Sequence, residues 1–125
     1  GLIKKEKPTL VRVHVQNILT DTIKIKNYKT WPIDDALKRV SKSKQGCIVI
    51  LTKNTLVNNI GEIISKLNNK KPNKENTKNE EQRTIGIGAQ ILKDIGVKKM
   101  ILMSAPKIYH GINAFGLDVV KYVSK

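Results

Sequence analysis

Side chains able to do chemistry are sparse in this sequence, and their spacing limits what they can do together. Two histidines and one cysteine occur in 125 residues. His14 ends the β-branched stretch Leu10-Val11-Arg12-Val13-His14, where a histidine reads first as a core or edge residue with one hydrogen bond. His110 stands beside Gly111 in a segment of loop character and could titrate near neutral pH, but no base or nucleophile accompanies it. A metal site from Cys47, His14 and His110 would need three distant segments to converge, without a close ligand pair. Cys47 reads instead as a small hydrophobe in a strand. A lone cysteine also excludes an internal disulfide and a multi-cysteine zinc ribbon.

Two features invite a phosphate reading. Gly86-Ile87-Gly88 has the first two glycines of a dinucleotide fingerprint, but Ile91 stands where the third is needed. A polar stretch rather than a strand precedes it, so the glycines are read as letting a helix start pack closely on a neighbour. Arg83 falls at the junction of that polar stretch and the helix. An exposed guanidinium beside free helix N–H groups could meet a phosphate there, and pairing with Glu80 or Glu81 is the equal alternative.

The elements that must position these residues follow from periodicity. Pro8 to Val15 alternates as a strand with two partly covered faces. Ile18 to Ile25 fits either a strand or a short helical turn. Trp31-Pro32-Ile33-Asp34-Asp35 starts a helix, with Pro32 at its first position and two carboxylates on the positive end of the dipole. Ile33, Ala36, Leu37 and Val40 make its apolar face. Cys47 to Leu51 is an apolar run of the kind covered on both faces. Leu56, Ile60, Ile63, Ile64 and Leu67 have helical spacing. Residues 68–82 contain no hydrophobic residue, which predicts a mobile surface loop unable to offset its ordering entropy. Ile85, Ile91, Leu92 and Ile95 predict a further helix closed by Gly96 as a left-handed cap. Lys98 to Met103 and Leu117 to Val123 predict strands, with a short helix or loop over Ile108 to Phe115. The order predicts a single α/β domain over residues 1–125, with a mixed central sheet flanked by helices.

Composition narrows the function classes. At 14.0 kDa there is room for one domain, and 39% hydrophobic with 27% charged residues is globular rather than disordered. No apolar run is long enough to span a bilayer, and no secretory leader opens the chain, so a cytoplasmic protein without a membrane partner is expected. The net charge of +14 raises a polyanionic partner. Yet only Arg12, Arg39 and Arg83 are arginines, the other cations being lysines, and aromatics are 4%. Bidentate readout and base stacking are thus poorly supplied, and nucleic acid is the weakest of the partner readings.

Read together, the segments resemble the GTP cyclohydrolase II family of riboflavin biosynthesis. The carriers are Pro8-Thr9-Leu10-Val11-Arg12-Val13-His14, the helix around Ala36-Leu37, Asn59-Ile60-Gly61, and the run from Arg83 through Gly86-Ile87-Gly88-Ala89-Gln90-Ile91-Leu92 to Met100. Pro106-Lys107 and Phe115-Gly116-Leu117-Asp118-Val119-Val120 follow in the family's order. The resemblance implies a zinc ion held by three cysteines, one shortly after the His14 position and a Cys-x-Cys pair before the first helix. Here those stretches read Val15-Gln16-Asn17-Ile18 and Lys26-Asn27-Tyr28-Lys29-Thr30-Trp31. Neither Asn nor Lys replaces a thiolate, so the zinc that activates water for ring opening is expected to be lost.

The remaining expectations also come from the resemblance. Arg83 matches the arginine that attacks the triphosphate and Glu81 falls on an Asp position, leaving two vestigial catalytic residues. In the ligand-binding alternative, Arg83 and Lys107 contact phosphate of GTP or another phosphorylated molecule, with Arg12 and His14 on a neighbouring wall. The 68–82 stretch occupies the region that helps cover substrate in active members. Such degenerate domains resemble the C-terminal halves of fusions with 3,4-dihydroxy-2-butanone 4-phosphate synthase. A fused or associated synthase domain is therefore the expected partner, with any Mg²⁺ belonging to that domain and a homodimer compatible with the reading. The family domain begins before this chain does, so a longer polypeptide is expected.

Overall fold

The computed structural model describes residues 2–24, 30–52, 74–106 and 111–125. The polypeptide forms β1 (Thr9–Val15), a π-helical turn (Ile18–Thr22), α1 (Ile33–Ser41), β2 (Gly46–Leu51), α2 (Lys74–Asp94), β3 (Lys99–Leu102), a 3-10 turn (Asn113–Phe115) and β4 (Asp118–Tyr122). The strands make one sheet in the order β2-β1-β3-β4. All three pairings are parallel. The α/β class holds, and the sheet expected to be mixed is parallel throughout the described strands. The reason is connectivity: each strand returns through a crossover, and no hairpin joins two of them.

Strand β1 is central and covered on both faces. Val13 faces α2 so closely that a Cβ built on Gly88 would lie 3.1 and 3.3 Å from its two methyls. Arg12, one residue away and so on the opposite face, reaches the Trp31 carbonyl at the start of α1. The two helices therefore cover opposite faces, as right-handed crossovers on either side of β1 require. The core joins Val11, Val49, Ala89, Leu92, Met100 and Leu102. It buries the α2 face of the sheet.

Helix α1 starts as expected, with Pro32 one position earlier, at the N-cap. Ala36 is buried, but Leu37 lies at the rim and is 50% exposed. Helix α2 corrects a larger expectation. It begins at Lys74, so residues 74–82 are helical rather than an irregular loop, and residues 68–73 lie outside the described residues. Helix formation is cooperative: once residues 85–94 are anchored, extension backward adds one hydrogen bond per residue without a new nucleus. Lys, Glu and Gln are good helix formers, so this half needs no apolar face. The other end behaves as read: Gly96 has φ +90°, and the N–H groups of Gly96 and Val97 close onto Lys93 and Leu92 carbonyls. That is a Schellman cap.

Strand β2 is a second correction. It lies at the sheet edge, and Ile50 is 53% exposed, so the run is not covered on both faces. At the other edge, β4 carries a register shift against β3 that leaves Val120 unmatched. A bulge of this kind blunts an open edge. The helix expected over Leu56 to Leu67 lies outside the described residues. Among those described, no helix is long and apolar enough to cross a membrane.

Three glycines give a ranked stability test. At Gly46 a Cβ would sit 2.5 Å from Ser43 Oγ and 2.7 Å from Val40 Cγ1, so Gly46→Ala should cost about 1–3 kcal/mol through overpacking. At Gly86 nothing lies within 4 Å, and Gly86→Ala should stabilise by about 0.5–1 kcal/mol from backbone entropy alone. Gly88→Ala meets the stiff β-branched Val13 and should fall below wild type despite the same entropic gain. Urea unfolding of the three variants checks the order.

Candidate functional site

Chain direction marks one end of the sheet. From β1 the chain crosses to β2 on one side, and then over to β3 on the other. In open parallel sheets this switch point, at the carboxyl ends of the strands, is where ligands are taken. Here it lies beside His14 on β1 and Met103-Ser104 after β3.

His14 is 5% exposed, and its Nε2 lies 2.8 Å from Asp21 Oδ2. The same oxygen accepts the Asn17 N–H at 2.8 Å, and the Thr20 hydroxyl lies 3.2 Å from Oδ1. These contacts exist because the π-helical turn brings Asp21 back over the end of β1, with its N–H on the Asn17 carbonyl. Burial opposes ionisation of Asp21, but the Asn17 N–H, His14 and Thr20 outweigh it and hold the carboxyl below its ordinary value. A carboxylate only accepts, so His14 Nε2 carries the proton. Nδ1 is buried and without a hydrogen-bond partner among the described residues. The pair fixes the imidazole as an oriented base would be fixed, but too deep to meet a substrate as it stands.

Arg12 points to the same face as His14. Its Nη1 donates to the Met103 carbonyl at 2.9 Å and its Nη2 to the Trp31 carbonyl at 3.3 Å. The guanidinium thus joins the end of β3 to the start of α1. Trp31 Nε1 in turn donates to the Val123 carbonyl at 3.0 Å, and Lys125 pairs with Asp35 at 2.9 Å. That ion pair holds the Asp35 carboxyl below its ordinary value.

The other expected site residues are placed differently. Arg83 is exposed and lies well inside α2, not at its start, so the free N–H groups of the first turn are not beside it. Its helix covers the face opposite His14 and Arg12. Glu81 is on the same helix, but its side chain, like that of Glu80, lies outside the description. Lys107 and His110 lie outside the described residues altogether. Cys47 pairs in register with Val11, whereas His14 pairs with Ile50. Cys47 and His14 therefore face opposite sides of the sheet. Cys47 packs against the core, and burial pushes its thiol above the ordinary value. Among the described residues, no three His, Cys, Asp or Glu side chains converge to hold a metal.

Asp21, Trp31 and the Met103 carbonyl were not singled out by sequence reasoning. An irregular turn leaves no periodic trace, and the only local signal is Asn17-x-x-Thr20-Asp21, a run of residues that bond their own backbone.

The depressed Asp21 value has a pH consequence. The unfolded carboxyl, near 3.8, binds its proton more tightly than the folded one. The stabilisation is therefore full above the unfolded value and is lost as pH falls through the folded value. Asp21→Asn should be less stable than wild type at neutral pH, with the gap closing between about pH 5 and about pH 2. Thermal unfolding across that range checks it.

Comparison with known proteins places this architecture. The profile of the GTP cyclohydrolase II family matches residues 1–124. A 3,4-dihydroxy-2-butanone 4-phosphate synthase of Photobacterium phosphoreum is 36% identical over 126 residues, covering 98% of this chain and 33% of the relative. The protein of that name from Pseudomonas aeruginosa is 33% identical, with coverage of 98% and 33%. The riboflavin biosynthesis protein RibBA of Chlorobium phaeovibrioides is 33% identical over 135 residues, covering 98% and 32%. The chain thus spans about a third of the length of these curated relatives. No solved structure is significantly similar. With almost every residue inside the family profile, and a parallel α/β sheet beneath it, the chain belongs to the GTP cyclohydrolase II family.

Proposed function

We propose that this chain is the cyclohydrolase-II-like part of a riboflavin-biosynthesis protein that also carries 3,4-dihydroxy-2-butanone 4-phosphate synthase, and that this part does not hydrolyse GTP. The observation that carries the first half is the coverage: 98% of this chain aligns within synthase-named relatives about three times its length.

The donor set supports the second half. From Val15 to Trp31, Asp21 is the only side chain of the types that ligate zinc, and it is already bonded to His14 and the Asn17 N–H. The only cysteine faces the other side of the sheet. Zinc sites of this kind need soft thiolate or free imidazole donors, so the residues present do not fit the metal, and no step is routed through it. In this reading the residues at the carboxyl edge serve the scaffold, with Arg12 and His14 holding chain segments rather than substrate. The chain's task is structural or regulatory beside a synthase.

Turnover assays on the purified full-length protein test this. The expected result is 3,4-dihydroxy-2-butanone 4-phosphate formation without conversion of GTP to a diaminopyrimidine and without stoichiometric zinc. GTP turnover with bound zinc would overturn it. The non-catalytic phosphate-binding alternative rests on Arg83, which is exposed on α2. Calorimetric titration with GTP and pyrophosphate should give heat that Arg83→Ala abolishes if that reading holds. Silence at millimolar ligand removes it.

A further inference from the structure

We propose that the segment following β1 is held on the carboxyl edge of the sheet by a metal-free clasp of His14, Asp21 and the Asn17 main chain, where the family resemblance calls for a zinc staple. The proposal takes from the reading above only that the zinc donors are gone.

The chain that crosses from β1 to α1 leaves the strand through the π-helical turn Ile18–Thr22 at the carboxyl end of the sheet. Ordering such a segment costs roughly 1–2 kcal/mol per residue in backbone entropy, and something must hold it. At its near end, Asp21 is bound to His14, which is itself fixed in β1 and in register with Ile50. The two side chains are only 6% and 11% exposed. Charge-assisted bonds out of water are the strong kind. One carboxylate here gathers an imidazole N–H and a main-chain N–H on Oδ2, with the Thr20 hydroxyl beside Oδ1. At the far end, Arg12 holds the Trp31 carbonyl and Lys24 pairs with Asp34 of α1. Both ends of the crossing are thus tied to β1 or α1 by side chains of this chain alone.

The clasp uses the one carboxylate between β1 and α1 up to Trp31 as a hydrogen-bond acceptor rather than as a metal ligand. The carboxylate that could ligate is committed to His14, and His14 Nε2 is committed to the carboxylate. The position that follows β1 offers Asn17, whose N–H is the clasp's second donor.

Limited trypsin digestion of the purified full-length protein tests the clasp, because Lys24, Lys26 and Lys29 put cleavable bonds inside the crossing. Wild-type cleavage there should be unchanged by 1,10-phenanthroline. Asp21→Asn should accelerate it by about tenfold or more, the equilibrium change expected for losing a charge-assisted hydrogen bond. Cleavage after Lys93 and Lys121 should keep its wild-type rate, which separates local release from general unfolding. Thr20→Val, which removes the weakest contact, should give a smaller acceleration and serves if Asp21→Asn does not fold. Chelator-accelerated cleavage of the wild type would overturn the proposal. So would wild-type rates in both variants. GTP turnover together with chelator-insensitive cleavage would leave the clasp standing and overturn only the inactive reading.

Discussion

Because β1 is hydrogen-bonded on both sides and covered on both faces, its side chains alternate between two unlike environments. Val11 and Val13 meet α2 and the apolar core, and the Val13 methyls come so near the helix that a Cβ at Gly88 would crowd them. Arg12 and His14 meet the chain that leads into and out of α1. A one-residue slip of this strand would bring a guanidinium against Gly88 and valines against carbonyls. The register of the whole sheet is pinned by that contrast.

Placing a guanidinium and an imidazole in the middle layer is costly unless each finds partners. Arg12 finds them in main-chain carbonyls that end one strand and precede one helix, so its charge also satisfies acceptors that regular structure leaves over. His14 finds a carboxylate delivered by an irregular turn. Trp31 extends the same network to the chain after β4, where Lys125 and Asp35 add an exposed pair worth little alone. Main-chain acceptors from three separate segments therefore depend on polar side chains of β1 and the start of α1.

Fold and site are separable. The run from Arg83 to Met100 packs, caps and delivers β3, while the carboxyl edge carries a separate network of hydrogen bonds. At that edge Arg12 and His14 hold chain segments. Packing of α2 on β1 uses Val13 and Gly88 on the face opposite Arg12 and His14, so the core and the carboxyl-edge network are built from separate residues.

Much of this was legible in one dimension. Strands β1 to β4, the start of α1 and the Gly96 cap follow from short-range chemistry: β-branched runs, carboxylates in a first helical turn, a left-handed glycine after the last periodic residue. The single cysteine is legible too, because a residue type that is absent elsewhere cannot be supplied by folding. The parallel sheet, the edge position of β2 and the backward extension of α2 were not. Strand direction and order depend on which strands pair across crossovers, and a polar stretch becomes helical only because its neighbour is already anchored. The roles of Arg12 and His14 were decided last of all. A guanidinium near a phosphate and a guanidinium on two carbonyls look alike in sequence. Only tertiary structure brought Met103 and Trp31 to Arg12, and a seven-residue return with no periodicity brought Asp21 to His14.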